Sequence, residues 1–127
     1  MSGDNRIERK PVSTAVFPTL TWATSEGHAA KETALRVNML VERVDIIISS
    51  VTGNPTVTVT FANEDGAVVI DATEFANLAD GTTHMKLAVR DFYAVPVDGT
   101  VTCTVDPSAD AGGSAQTLSV QIKFRGP

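Results

Sequence analysis

Thr56-Val57-Thr58-Val59-Thr60-Phe61 decides the fold class of this chain, because apolar side chains alternate strictly with threonine along it. Successive side chains of an extended strand point to opposite faces, so Val57, Val59 and Phe61 share one face and the threonines share the other. β-Branched residues lose little χ1 freedom on a pleated surface, and a polar threonine face suits an antiparallel sheet with one side in water. The rule repeats on either side. Arg43 to Ser49 puts Val44, Ile46 and Ile48 on one face, Thr100 to Val105 puts Val101, Cys103 and Val105 inside, and Thr117 to Arg125 puts Leu118, Val120, Ile122 and Phe124 inside. The predicted core is therefore Val57, Val59, Val101, Val105, Val120, Ile122 and Phe124, with Cys103 buried among them.

Turn residues punctuate these runs. Gly53-Asn54-Pro55 reads as a hairpin-length connection, with Pro55 in the loop or at the first strand position because it lacks a backbone donor. Glu64-Asp65-Gly66 reads as a tight turn into a third strand, Ala67 to Ile70. Further strands are expected at Lys31 to Leu40, His84 to Val89 and Phe92 to Val97, with Asp80-Gly81 and Asp98-Gly99 as turns. Asp71 to Leu78 is either a short helix capped by Asp71 and Glu74 or an irregular crossover between sheets. Ser25 to Thr33 is a second, weaker helical candidate. Asp106 to Ala115 lacks periodicity and bulk and reads as a long, mobile hairpin loop between the last two strands. The sum is an all-β chain: an antiparallel β-sandwich or jelly roll of about 7–8 strands.

The start differs. Met1 to Val12 carries Asp4, Arg6, Glu8, Arg9 and Lys10 with few apolar residues, too little to order itself alone. Ala15 to Ala23 then brings Val16, Phe17, Leu20 and the single tryptophan, Trp22, interrupted by Pro18. That stretch is either the first strand of the sandwich or a sticky arm ordered by a neighbour. The expected division is an extended N-terminal arm over residues 1–30 and a β-sandwich domain over 31–127, with Arg6, Arg9, Lys10, Phe17 and Trp22 as candidate partner-binding residues.

Composition bounds the function. A chain of 127 residues holds one core. The net charge of -5 has the wrong sign for a surface that binds nucleic acid throughout. No apolar run is long enough to span a bilayer, and Met1 to Lys10 is too charged for a secretory h-region. The single cysteine excludes an intramolecular disulfide and a cysteine-based metal cluster within one chain.

The residues of catalysis do not assemble into a pattern. His28 and His84 are the only histidines, and neither lies in a nucleophile-elbow, Walker or zinc-protease motif. His28 is expected on the surface beside a loop, and solvent exposure or a carbonyl partner explains His84, at the start of a strand, better than a metal. Cys103, between threonines on an inward face, is expected to be protonated and inert. Glu64-Asp65 with Asp71, and Asp106 with Asp110, are oxygen donors of the kind calcium takes, but they match no EF-hand loop, and the turn role that aspartate serves by bonding to nearby backbone is the preferred reading of each. The expectation is no active site, no metal and no cofactor.

Two stretches carry a resemblance. Tyr93-Ala-Val-Pro-Val-Asp-Gly-Thr-Val-Thr-Cys-Thr-Val105, followed by a small-residue loop and Leu118-Ser-Val-Gln-Ile-Lys-Phe-Arg-Gly126, resembles the endings of small virion proteins of tailed bacteriophages. Val44 to Phe61, with Ser49-Ser-Val-Thr-Gly-Asn-Pro-Thr-Val-Thr-Val-Thr60, is similar. Together they cover about half the chain, as strand and turn patterns and not as catalytic signatures. The resemblance implies a β-rich, non-enzymatic protein present in many copies: a capsid decoration (cement) protein on the capsid exterior, assembled in the bacterial cytoplasm. Its partners would be the major capsid protein and copies of itself, trimers favoured, with neither nucleic acid nor membrane, and with a terminal arm that straps neighbouring subunits. The rival expectation is a tail or fibre-associated module that holds host glycan or a tail protein, marked by an exposed pair such as Phe92 and Tyr93 beside carboxylates.

Overall fold

The computed structural model describes residues 13–88 and 90–127. Among the described residues the strands are β1 (Ser13–Val16), β2 (Leu20–Ala23), β3 (Lys31–Val41), β4 (Arg43–Ile48), β5 (Thr56–Ala62), β6 (Leu78–Ala79), β7 (Thr83–Leu87), β8 (Val95–Pro107) and β9 (Thr117–Gly126). Their antiparallel pairing is nested: β5 with β6, β4 with β7, β3 with β8, and β2 with β9. Rolling that long double strand brings β4 against β9 and β5 against β8, which splits it into two sheets. One sheet holds β1 and β2 on one side of β9, followed by β4 and β7; the other runs β3-β8-β5-β6. This is jelly-roll connectivity, so the all-β expectation holds in its more specific form.

The core fills the space between the sheets. Val57, Val59, Val101, Cys103, Val105, Val120, Ile122 and Phe124 are all buried, as the alternation predicts. Four phenylalanine rings run through it in series: Phe17 meets Phe124 edge-on at 5.0 Å, Phe124 meets Phe61 at 5.5 Å, and Phe61 meets Phe75 edge-on at 5.4 Å. Because Phe124 lies on one sheet and Phe61 on the other, the series joins the layers; such ring pairs add about 0.5–1.5 kcal/mol each beyond the area they bury.

The N-terminal strands belong to this core. β1 and β2 both lie along β9, with Val16 opposite Lys123 and Leu20 opposite Val120. Four steps on one side therefore match three on the other, a bulge at Pro18-Thr19 where a proline does no harm to an edge. The Phe17 N–H donates to Ile122 O at 3.0 Å before the bulge, and the Trp22 indole N–H donates to Ala29 O at 2.7 Å after it. Pro18 O in turn accepts the Thr33 hydroxyl at 2.9 Å, tying this edge to β3.

Several local expectations are corrected. Gly53-Asn54-Pro55 is not a hairpin: β4 and β5 lie in different sheets. Groups from distant loops draw the connection across, since Val51 N–H donates to the Asp80 carboxylate at 2.9 Å and Gly53 N–H to Ala111 O at 2.7 Å. Ala67 to Ile70 is not a strand. The tight turn before it exists, with Gly66 N–H on Asn63 O at 2.9 Å, but only a single bridge from Val68 to Ala62 follows, and Val68 is 62% exposed with no core to face. Asp71 to Leu78 is irregular, as one alternative had it, but it is no crossover between sheets, because it leads from β5 to its neighbour β6 in the same sheet. Asp71 accepts both the N–H and the hydroxyl of Thr73, and Phe75 O takes the N–H of Val59 at 2.9 Å, so the segment is pinned to β5 and does not wind. Ser25 to Thr33 is not an α-helix: it takes in the end of a 3-10 turn, Thr24–Glu26, and the start of β3.

Only Val95 to Val97 of the expected strand Phe92 to Val97 is extended, and it runs with the expected turn Asp98-Gly99 into β8, Phe92 making a single bridge to Ala88. Gly99 sits inside that strand at φ +147, and a Cβ there would lie 2.8 Å from Glu64 Oε1. Glycine thus lets the strand continue where a turn was expected. Asp106 to Ala115 likewise joins two sheets and is not a hairpin loop. Its first two residues extend β8, Ala111 is buried, and Gly112 O accepts the Thr24 hydroxyl at 3.0 Å.

Candidate partner-binding surface

Of the five residues expected to bind a partner, Arg6, Arg9 and Lys10 lie outside the described residues. Phe17 and Trp22 are described and sit in the core, each 1% exposed. Residues 13–23, expected as part of the arm, are strands of the first sheet. The physical reason is the bulge, which turns both aromatic rings to the same side and gives their apolar area to the protomer.

Several of the expected chemical residues have structural roles. The His28 ring meets Asp110 at 2.6 Å on an exposed surface, where it links the start of β3 to the loop before β9. The His84 ring donates to Ala79 O at 2.8 Å. Cys103 is buried, and loss of solvent pushes its thiol far above the usual range, so the thiolate nucleophile is not formed. Glu64 accepts the N–H of Thr100 at 2.7 Å. It does so just past the point where β5 ends opposite Thr102, taking a ladder donor that β5 no longer reaches. Among the described residues no three His, Cys, Asp or Glu side chains converge on a metal position. No helix among them is long and apolar enough to cross a membrane.

Two surfaces stand out by chemistry. The first lies where β8 runs beyond β5: an open depression of ≈ 380 Å³ is lined by Glu64, Asp65, Asp98, Val68 and Pro96. A second hollow shares Val69 and Val95 with it and adds Asp71, Glu74, Asp91 and Tyr93. Tyr93 is 90% exposed, while Phe92 packs against the core, so the expected aromatic pair is presented as a single ring. The carboxylates outnumber their cations here. Arg36 lies 3.7 Å from Glu64 and 3.8 Å from Asp98, Lys86 lies 3.6 Å from Glu74, and Arg90 lies 2.8 Å from Asp91. The Arg90 hydrogen bond, helped by Leu87 N–H, holds the Asp91 carboxyl below its ordinary range, and the two Thr73 hydrogen bonds do the same to Asp71.

The second surface is the outward face of the first sheet. Register places Val16, Lys123, Asp45 and Met85 in one row across it, and Thr14, Arg125, Arg43 and Leu87 in the next. Asp45 is 4% exposed, covered by the arginine stems, with its carboxylate 2.9 Å from Arg43 Nε and 3.6 Å from Arg125 Nε. The exposed remainder is cationic and apolar, with Val16 44% and Met85 41% exposed. The cationic face was not legible in the sequence, because register joins its residues from distant strands, whereas the Glu64-Asp65 and Asp71 carboxylates and Tyr93 of the acidic one were singled out there without their arrangement.

The comparisons with known proteins bear on the fold. No family model matches the chain, and no curated protein matches it significantly. Among solved structures, a chain in the capsid of Ralstonia phage GP4 is similar at 19% identity and a TM-score of 0.53, over 94% of this chain and 91% of that one. A chain of the cyanophage Pam1 capsid asymmetric unit has 14% identity and a TM-score of 0.46 over the whole of both chains. Infectious bursal disease virus, Gt strain, is similar at 14% identity and a TM-score of 0.45, over 91% of this chain; the chain spans about a third of that protein, 32%. At these identities the likeness is one of fold, and the jelly roll of this chain is an architecture that a phage capsid chain of similar length shares.

Proposed function

We propose that the chain is a structural protein of a tailed-phage virion, and specifically a decoration protein that binds the outer capsid surface and stabilises the shell. The observation that carries this reading is the near end-to-end match to the Ralstonia phage GP4 capsid chain, 94% of one against 91% of the other. A protein of that size and fold needs no pocket for such work. Each copy adds buried interface across junctions of the shell, and anything that binds the assembled state alone stabilises it by mass action.

In this reading the partners are the major capsid protein and further copies of the chain, trimers favoured, and no catalysis is involved. Residues 1–12 would act as the strap, with Arg6, Arg9 and Lys10 engaging an acidic shell surface. Phe17 and Trp22 would have to leave the core to take part, forfeiting their burial, so the proposed set narrows to the three cations. Exposed Tyr93 beside Asp91 favours a second reading, a tail or fibre module that stacks a glycan ring on the tyrosine.

The test is cryo-electron microscopy of virions of the phage that carries the gene, combined with rebinding of purified protein to stripped particles. Many copies in icosahedral positions on the outer shell are expected. Absence from the particles, or density confined to the tail, overturns the decoration reading. Glycan-array binding lost in Tyr93→Ala would establish the alternative.

A further inference from the structure

The charged surfaces of this molecule are unequally placed. Three of its cations, Arg43, Lys123 and Arg125, share the outward face of the first sheet, where the one carboxylate in their rows, Asp45, is almost wholly covered. Six carboxylates, Glu64, Asp65, Asp71, Glu74, Asp91 and Asp98, rim the two hollows beside β8, against Arg36, Lys86 and Arg90. Each surface also carries apolar side chains in water. Val16 and Met85 stand among the cations, and Val68 and Tyr93 stand among the carboxylates, the last 90% exposed. Exposed apolar side chains set where one sign of charge is in excess are what a docking surface presents, and a tyrosine offers large contact area at low entropy cost.

We infer that these two surfaces are complementary halves of one contact between copies of the chain, the cationic face of the first sheet of one copy receiving the acidic, tyrosine-bearing rim of the next. Charge complementarity names the occupant. Within a protomer the two surfaces border each other only at the end of β7, where Asp91 accepts the Leu87 N–H and Arg90 donates to Met85 O, while Glu64 and Asp98 lie with the other sheet and stay open to a second copy. A contact between two different patches is heterologous, so each copy keeps one unused half and can add another, closing into a ring if the rotation allows. The rim charges steer encounter, and Tyr93, Val68, Val16 and Met85 bury area that slows dissociation. This inference concerns the purified chain in solution and stands or falls separately from the virion reading.

Sedimentation of the full chain across concentration and salt tests it. Self-association at low ionic strength is expected, weakening as salt rises. Lys123→Gln and Asp65→Lys each weaken one half without placing a carboxylate beside Asp45 or touching the Glu64 hydrogen bond, and thermal melting verifies that both variants fold. Each variant alone should associate at least about tenfold more weakly than the parent. An equimolar mixture should form a one-to-one dimer that grows no further, since the intact acidic rim of one variant meets the intact cationic face of the other. A parent protein that stays monomeric at low salt, association indifferent to salt and to both changes, or a mixture that stays monomeric would each overturn the inference.

Discussion

Phe17 and Trp22 stand an odd number of positions apart and yet point into the same core, each 1% exposed. In an unbroken strand their side chains would lie on opposite faces. The extra residue at Pro18-Thr19 reverses the parity between them, and that fixes how this segment responds to change.

Deleting Thr19 should therefore be far more damaging than its exposed position suggests, because it sends either Phe17 or Trp22 to water. Trp22→Ala should cost about 3–5 kcal/mol, as truncation of a buried aromatic does. A chain beginning at Ala23 should melt far below the full protein. Urea unfolding followed by the fluorescence of the only tryptophan reads the deletion, and an unchanged denaturation midpoint would contradict the bulge.

Gly99→Ala should destabilise by about 1–3 kcal/mol, from a strained backbone together with crowding against Glu64. Glu64→Ala removes the crowding and the acceptor for Thr100 N–H but leaves the strained φ. The double variant should thus be less unstable than the sum of the two single ones, a coupling that a double-mutant cycle measures.

Cys103 should resist thiol reagents in the native state and react at a rate set by opening of the fold. Rapid labelling of folded protein would show that the β8 register is wrong. Cys103→Ser places a hydroxyl in an apolar site and should cost about 1–3 kcal/mol, read as a lower denaturation midpoint.

Stability should fall with acid. Glu26, held down by the Ala23 N–H and Lys31, joins Asp71 and Asp91 in having a carboxyl lowered from the ordinary values of 4.5 and 3.8. Depressed carboxyls contribute stability that is fully present above those ordinary values and is lost as pH falls through the lower folded ones. Melting temperature should be level near neutrality and decline below about pH 4.5. A melting temperature that rises from pH 5 to pH 3 would reverse the sign.

The alternation of Thr56–Phe61, Thr100–Val105 and Thr117–Arg125 is a local property, so these strands and their buried faces were legible in sequence. What joins them was not. Gly53-Asn54-Pro55 looks like a hairpin because turn chemistry is local, whereas its course is fixed by Asp80 and Ala111, distant in the chain. Gly99 looks like a turn because the Glu64 carboxylate that accompanies it lies in another loop. The aromatic residues near the start could be read as an arm or a strand because only pairing with β9 decides it. The cationic face failed to show for the same reason: Lys123 and Met85 flank Asp45 only through register.

The nested pairing also sets a timetable for synthesis. Ser13 pairs with Gly126, and Leu20 with Val120, so a strand made at the beginning waits for one made at the end. While the ribosome still holds β9, the first sheet lacks its central strand, and Phe17 and Trp22 have no cavity to enter. Contacts this distant along the chain put folding in the slow range, about milliseconds to seconds. Several chains emerging together at high expression would each display the same sticky edge, so aggregation during translation is the characteristic hazard of this topology.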